Sequence, residues 1–397
     1  MVLLFSRSES AARKLVDLIP GLYGGNGISL AAPPPGSPFP THEPHFTIAS
    51  AAAINRLNEQ IAAEIGVFPF SAAVGGFTFA FEPGLGTFVP TTETLGPLFA
   101  ERAPTLGRGR LNVQASFTSF KYDEFNGESL DHLQVVTQHQ PDVIPPNDSL
   151  ELFELDTIRI NMDLDIRVWI LALAATYGLT DRLDVGLLVP IVHVSMDVKA
   201  RAEVVPSPAN RFPGVHTFVG GPESPFDRAR GEATGIGDIM LRAKYHLLKS
   251  QTVDLAGAVL VKLATGDEDN FLGTGDTTIR PFLVVSRTFA ALFGSRISVT
   301  PHLNLGYEVN LDHDDRSALE YVVGFDVGTR RFVVVGEFLG SHQLHGDGIG
   351  DNILTASVGI KWNPWKRLLL AANVQFPLNN EGLRSHLIPT FGVEYSF

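Results

Sequence analysis

Arg296-Ile-Ser-Val-Thr-Pro-His-Leu-Asn-Leu-Gly-Tyr-Glu-Val-Asn310 alternates residue by residue. Ile297, Val299, Pro301, Leu303, Leu305, Tyr307 and Val309 fall on one face. Arg296, Ser298, Thr300, His302, Asn304, Glu308 and Asn310 fall on the other. Successive side chains of a strand point to opposite faces, so this period describes a strand that is apolar on one side and polar on the other. The same pattern recurs upstream. Ile158, Ile160, Met162, Leu164, Ile166 and Val168 oppose Arg159, Asn161, Asp163, Asp165 and Arg167. Ile239, Leu241, Tyr245 and Leu247 oppose Asp238, Arg242, Lys244 and His246.

From Arg110 onward, twelve such segments lie near 110–122, 155–178, 181–200, 234–248, 252–265, 276–289, 295–310, 317–329, 330–341, 351–363, 366–377 and 384–397. Some connections are tight: Gly178 to Asp181, Leu248 to Gln251, Ala290 to Gly294, Gly328 to Arg330 and Asn363 to Lys366. The others, 123–154, 201–233, 266–275, 311–316, 342–350 and 378–383, are longer and polar, and the two kinds alternate strictly. In an up-and-down meander this puts every short turn at one rim and every long loop at the other, the asymmetry of membrane barrels. A sandwich would have irregular Greek-key connections. A closed barrel in lipid satisfies its backbone without an edge strand. The spacing predicts an all-β fold: a transmembrane antiparallel up-and-down β-barrel of about twelve strands, with both ends of the barrel at the short-turn rim.

Composition fits. The chain of 397 residues has 30 Lys+Arg against 43 Asp+Glu, a net charge of −13, which argues against nucleic acid as a partner. Hydrophobic residues make up 44% and charged residues 18%, and mean hydropathy is +0.12. Yet the longest apolar run, Val168–Ala175, falls far short of the ~18 residues of a membrane helix. The absence of cysteine excludes a disulfide scaffold, a thiolate zinc site and a Cys nucleophile. P-loop, dinucleotide and HExxH motifs are missing, so no cofactor is expected.

Residues 1–44 form an extension with Pro33, Pro34, Pro35, Pro38, Pro40 and Pro44. The apolar patch Val2–Phe5 is shorter than the 7–15 residues of a secretory signal, so either the start is mis-called or trimmed, the reading favoured here, or the protein stays in the cytoplasm. An amphipathic helix is expected over 48–65, with Ile54, Leu57, Ile61 and Ile65 on one face, then a hairpin over 77–89. Residues 45–107 read either as a plug or as a periplasmic appendage. The barrel occupies 108–397.

The last strand places Leu387, Pro389, Phe391, Val393, Tyr395 and Phe397 at every second position back from the terminal Phe. This resembles the C-terminal signal of bacterial outer-membrane proteins, with Tyr395 and Phe397 the residues presented to the assembly machinery.

Three stretches carry a family resemblance: Leu95-Gly-Pro-Leu-Phe-Ala-Glu-Arg102 with Gly107-Arg-Gly-Arg-Leu-Asn112, Ala175 to Gly186, and Thr265 to Gly275. With the last strand, they resemble the outer-membrane transporters of the phenol-degradation meta-pathway type over roughly 45–397. The resemblance implies a bacterial outer-membrane barrel that passes hydrophobic or aromatic compounds.

Twelve strands make a barrel of intermediate bore, wide enough for a narrow pore. The lumen-lining residues expected to bear on transport are Arg159, Asn161, Asp163, Asp165, Arg167, Asp238, Arg242, Lys244, Lys262, Arg280, His302, Glu308 and Glu337. The bland alternative is a salt-bridged lumen that only stiffens the barrel. Asp267, Asp269 and Asp276 crowd a glycine-rich loop and form a weak candidate divalent-metal site, against the plainer reading of a solvated acidic loop. His193 and Ser195 share a strand face, which leaves a lipid hydrolase open, although no orienting Asn follows the serine. The leading expectation is no enzyme but a passive channel for small, apolar or aromatic solutes, with outer-membrane lipid as the surrounding partner. The alternatives are that hydrolase or a structural barrel with a closed lumen.

Overall fold

The computed structural model describes residues 14–25, 28–31, 43–65, 79–82, 87–90, 95–138, 156–208, 216–219, 225–250, 253–290, 296–345, 351–365 and 367–397. The patch Val2–Phe5, the prolines from Pro33 to Pro40, Phe77 and parts of three short turns lie outside these residues.

Before the barrel come helix α1 (Glu43–Ile65) and a hairpin, β1 (Phe79–Glu82) with β2 (Thr87–Pro90). The helix begins earlier than its apolar periodicity suggests, because Pro44 sits in the first turn, where its missing N–H costs nothing. Strand β3 (Leu111–Tyr122) is followed by the short β4 (Glu124–Phe125) and β5 (Glu128–Ser129), then β6 (Leu133–Gln138). Two long strands follow, β7 (Thr157–Gly178) and β8 (Leu183–Val205), then β9 (Phe226–Ile236). The remaining wall strands are β10 (Ile239–Lys249), β11 (Asp254–Leu263), β12 (Thr278–Ser286), β13 (Ser298–Asn310), β14 (Ala318–Gly328), β15 (Phe332–Gln343), β16 (Asn352–Trp365) and β17 (Leu368–Pro377). The two-residue β18 (Leu383–Arg384) precedes β19 (Ile388–Ser396).

Twelve of these close a ring. Strands β3, β7, β8, β10 to β17 and β19 pair antiparallel in succession, and β19 returns to β3 through Tyr395↔Val113 and Ser396↔Asn112. All twelve expected strand segments are therefore present. Beyond the ring, β6 pairs with the outer part of β7 and β9 with the outer part of β8. The sequence reading placed both inside long loops. β9, Phe-Asp-Arg-Ala-Arg-Gly-Glu-Ala-Thr-Gly-Ile, turns only Ala229, Gly231, Ala233 and Gly235 towards Leu15, Leu18 and Leu272, a face too small in side chain to give a strand signal.

Faces follow from register. On β13 the exposed side chains are Pro301, Leu303 and Leu305, while Thr300, His302 and Asn304 are buried inside. The polar face thus turns to the lumen and the apolar face to lipid. On β7 the outward residues run Trp169, Leu171, Leu173, Ala175, Tyr177. Those eight steps, at about 3.4 Å each and tilted about 40°, cover about 21 Å of bilayer, close to the apolar band of ~25 Å that such barrels carry.

Above Trp169 the outward face of β7 turns from apolar to charged, while the inward face stays apolar. Ile158 to Val168 point inward and are buried, and Arg159 to Arg167 continue the outward face. Strand β8 does the same above His193, with Val194, Met196, Val198, Ala200 and Ala202 inside. These strands therefore rise beyond the bilayer, wet outside and apolar inside. The apolar face is covered by Leu15, Leu18, Ile19, Leu22, Ile28 and Leu30 and by Ile54, Leu57 and Ile61 of α1.

Two substitutions on one strand face test this placement. Leu173→Arg, near the middle of the apolar band, is expected to destabilise the barrel by about 2–4 kcal/mol in a bilayer folding equilibrium. Asn161→Arg, on the same face above the band, is expected to stay within about 0.5 kcal/mol.

Candidate functional site

The lumen is the candidate site, and a length of chain lies across it. Leu95, Leu98, Phe99, Ala100, Glu101, Arg102, Ala103 and Leu106 are all buried. This segment has no strand partner, so its backbone N–H groups need other acceptors. Inward-facing side chains of the wall supply them. Glu337 of β15 accepts from Leu98 at 3.3 Å, Phe99 at 3.0 Å and Ala100 at 2.8 Å. Asn304 of β13 accepts from Glu101 N–H at 2.6 Å and donates its amide to Glu101 O at 3.0 Å. Ser286 of β12 accepts from Ala103 at 3.2 Å, and Asp184 of β8 accepts from Leu106 at 2.9 Å.

Charge fixes the segment further. Glu101 lies 2.6 Å from the Arg242 guanidinium and 3.3 Å from Lys244 Nζ. Lys244 also donates to the carbonyls of Arg102 at 2.9 Å and Pro104 at 3.1 Å. Arg102 pairs with Asp326 of β14. His302 sits between the two anchors, 3.4 Å from Glu337 and 3.8 Å from Asp326. Leu95, Leu98 and Phe99 pack on Val333, Val335 and Leu369. Burial alone would push the Glu101 carboxyl up, but Arg242 and Lys244 beside it hold it below the ordinary carboxylate range.

The motif Gly107-Arg-Gly-Arg110 turns the chain from the lumen into β3. A Cβ on Gly178 would sit 2.0 Å from Gly107 O, so the backbone of the segment touches the β7–β8 turn directly. Gly107 itself holds φ 89°, a conformation that suits glycine.

The expected lumen residues divide into three groups. Arg242, Lys244, His302 and Glu337 face inward and belong to the network around 95–106. Asp238, Lys262, Arg280 and Glu308 also lie on the inner side, nearer the long-loop rim. Asp238 accepts from Gly266 and Thr274 N–H at 3.0 and 2.9 Å and so ties down the 264–277 loop. Lys262 donates to Thr274 Oγ1 at 2.8 Å, and Arg280 lies 3.5 Å from Glu320.

Arg159, Asn161, Asp163, Asp165 and Arg167 do not line the lumen. They share the face of Leu173 and Tyr177 and point outward above the bilayer. There they form cross-strand and same-strand ion pairs: Arg159–Glu203 at 2.9 Å, Lys199–Asp163 at 2.7 Å and Arg167–Asp165 at 2.8 Å. Asn161 lies between Gln134 and Arg201 on the neighbouring strands. The signal that corrects this was in the sequence. Counting by two from Arg159 leads without a break to Trp169 and Tyr177. Sequence reasoning also passed over Asp184, Ser286 and Asp326, all at inward positions of the same alternation.

The three aspartates of the acidic loop do not converge on a metal. Asp267 accepts from the Asn270 amide at 2.8 Å, and Asp269 pairs with Lys14. Asp276 is ringed by Asn310 at 2.8 Å, His313 at 2.7 Å and Arg316 at 3.0 Å. Burial raises the Asp276 carboxyl, and these three donors outweigh it and hold it low. Each carboxylate is met by donors of the chain itself, and among the described residues no group of acidic or His side chains is arranged to hold an ion.

His193 and Ser195 face outward. The His193 ring stacks on Trp169 at 5.1 Å, and its Nδ1 meets Thr234 Oγ1 at 2.7 Å. Ser195 lies between Arg167 and Glu232 on the neighbouring strands. Tyr395 and Phe397 meet edge to face at 4.8 Å at the short-turn rim.

Glu101 gives a pH prediction. Its folded-state value is depressed, so its contribution is present above the unfolded value and is lost as pH falls through the folded one. Thermal unfolding should show an acid step that Glu101→Gln removes. At neutral pH that variant leaves Arg242 and Lys244 buried without their counter-charge, at a cost of about 3–5 kcal/mol.

Solved structures similar to the chain include an outer membrane channel from Pseudomonas putida F1, with 14% identity, 74% of this chain and 98% of that one covered, and a TM-score of 0.43. The Ralstonia pickettii toluene transporter TbuX has 12% identity, covering 84% and 98%, with a TM-score of 0.34. The CymD monoaromatic hydrocarbon channel has 10% identity, covering 73% and 89%, also with a TM-score of 0.34. No curated protein sequence matches the chain. The family model described as "Putative MetA-pathway of phenol degradation" matches residues 156–383, more than half of the chain, and the protein belongs to that family.

Proposed function

We propose that the protein is an outer-membrane channel for small apolar or aromatic molecules, held closed by residues 95–106. The observation that carries this reading is how the segment is held. Its backbone is satisfied by wall side chains at Asp184, Ser286, Asn304 and Glu337, not by strand pairing. A segment seated through side chains can leave without breaking the barrel's own ladder. The wall would then enclose a lumen lined by the groups that held it.

The apolar substrate class rests on two supports. At the long-loop end, the inner wall is Ile158 to Val168 and Val192 to Ala202, and the chain's own leucines and isoleucines occupy it. An apolar solute can compete for such a surface, whereas a sugar or an ion gains nothing from it. The family's description also points to phenol degradation. The outward apolar band and the aromatic C-terminus suit outer-membrane lipid and the outer-membrane assembly machinery as partners. A channel of this kind needs no catalytic group.

Solute flux into proteoliposomes carrying the refolded chain tests the proposal. Small aromatics are expected to enter faster than sugars or a charged dye, and Glu337→Gln should raise flux by releasing the segment. Folded protein that passes no solute, with or without that substitution, would contradict the reading.

A further inference from the structure

The two rims of the barrel differ in charge. The approach to β3, 107–110, and the five short turns, 179–182, 249–253, 287–297, 329–331 and 363–367, hold ten Lys+Arg and a single acid, Asp181. Each of these six stretches carries at least one cation, so the cations are spread around the whole ring. The six long connections, 123–154, 201–233, 266–275, 311–316, 342–350 and 378–383, hold twenty Asp+Glu and five Lys+Arg.

The cations are also engaged differently. Above the bilayer, Arg159, Arg167, Lys199 and Arg228 each pair with a carboxylate of the same sheet. At the short-turn rim, Arg108, Arg182, Arg287, Arg296 and Arg331 are exposed and, among the described residues, form no ion pair. They stand beside exposed aromatic rings. The Arg287 guanidinium lies 4.4 Å from the centre of the Phe289 ring. Arg331 precedes Phe332, which faces Trp362 on the next strand, and Trp365 is 71% exposed in the β16–β17 turn. Aromatic side chains at this height mark the boundary between hydrocarbon and headgroups. Long cationic side chains reach from that boundary to the headgroup phosphates.

We propose that the short-turn rim is a collar for anionic phospholipid headgroups, whose phosphates take the place of the carboxylates missing from these turns. Cations spread over the whole perimeter suit a partner that surrounds the barrel. A soluble acidic protein would meet them on one side. Short turns of such barrels face the periplasm, so the collar lies in the inner leaflet of the outer membrane. A headgroup with net negative charge serves a guanidinium better than a zwitterionic one, whose own ammonium competes for the phosphate. The collar is independent of what the bore passes.

The three tryptophans of the chain are the reporters, Trp362 and Trp365 at the collar and Trp169 at the opposite edge of the apolar band. The Trp169→Phe chain is refolded in mixed phosphatidylcholine and phosphatidylglycerol vesicles. Quenching by one or the other lipid, brominated in the upper acyl chain, then reads which lies against the collar. Phosphatidylglycerol is expected to be favoured about twofold or more at low salt, with the preference fading at high salt. Arg330→Gln/Arg331→Gln should lower it. In the Trp362→Phe/Trp365→Phe chain, Trp169 should show near parity, because the cations above it are already paired. The salt series and the Trp169 comparison leave the collar's arginines unchanged, so they hold even where the double arginine variant fails to fold. Equal quenching by both lipids at the collar, a preference indifferent to salt, or the same preference at Trp169 would overturn the proposal.

Discussion

A length of chain inside a closed barrel has no strand edge to join, so its amides must be met by the side chains of the wall. Much else in this protein follows from that constraint. Glu337 takes three successive N–H groups, and Asp184, Ser286 and Asn304 take others. Carboxylates placed there need cations in turn. Arg102 answers Asp326, and Arg242 and Lys244 answer Glu101. The interior is therefore polar without being open. Around 95–106 its charges are engaged with the segment itself, as in a salt-bridged lumen.

The second organising feature is the change of solvent along β7 and β8. Below the row of Trp169 and His193, lipid lies outside, and small or apolar residues such as Ala172, Ala174 and Leu188 lie inside, giving way to Thr176 and Asp184 near the turn. Above it, water lies outside and the inside is apolar. A strand keeps its alternation through both regimes, so the same outward face passes from Tyr177 and Leu173 to Arg167 and Asp163. The outer third of the structure thus forms a small hydrophobic core of the soluble kind, closed by the residues around Leu15 to Leu30 and by α1. Ion pairs on its outer face are exposed and add little to stability one by one.

This explains what could be read from sequence. Period two and the alternation of short and long connections are local signals, and they located every strand of the ring. The inward direction of Arg242, Lys244, His302 and Glu337 was equally legible, because lipid selects the face opposite them. Arg159 to Arg167 were misplaced because charge was taken to mean lumen, although their parity with Trp169 and Tyr177 said otherwise. β9 was not legible at all, since its inner face is made of alanines and glycines that the leucines packed on it require to be small. That the lumen residues hold 95–106 was beyond sequence reading too. Glu101 and Arg102 stand next to one another in a stretch otherwise apolar and small, and only the closed ring brings Arg242 and Asp326 to them.

The central claim is that 95–106 is sealed inside the folded barrel. The chain has no cysteine, so a single one reports without background. Ala100 is 0% exposed and sits where Glu337 grips the backbone. The rate at which Ala100→Cys reacts with a water-soluble maleimide, in barrels folded in bilayers and accessible from both sides, tests the seal directly. The account predicts protection of about a hundredfold or more relative to the unfolded chain, as for a site that opens only by rare excursions. Reaction near the unfolded rate in folded barrels would contradict it.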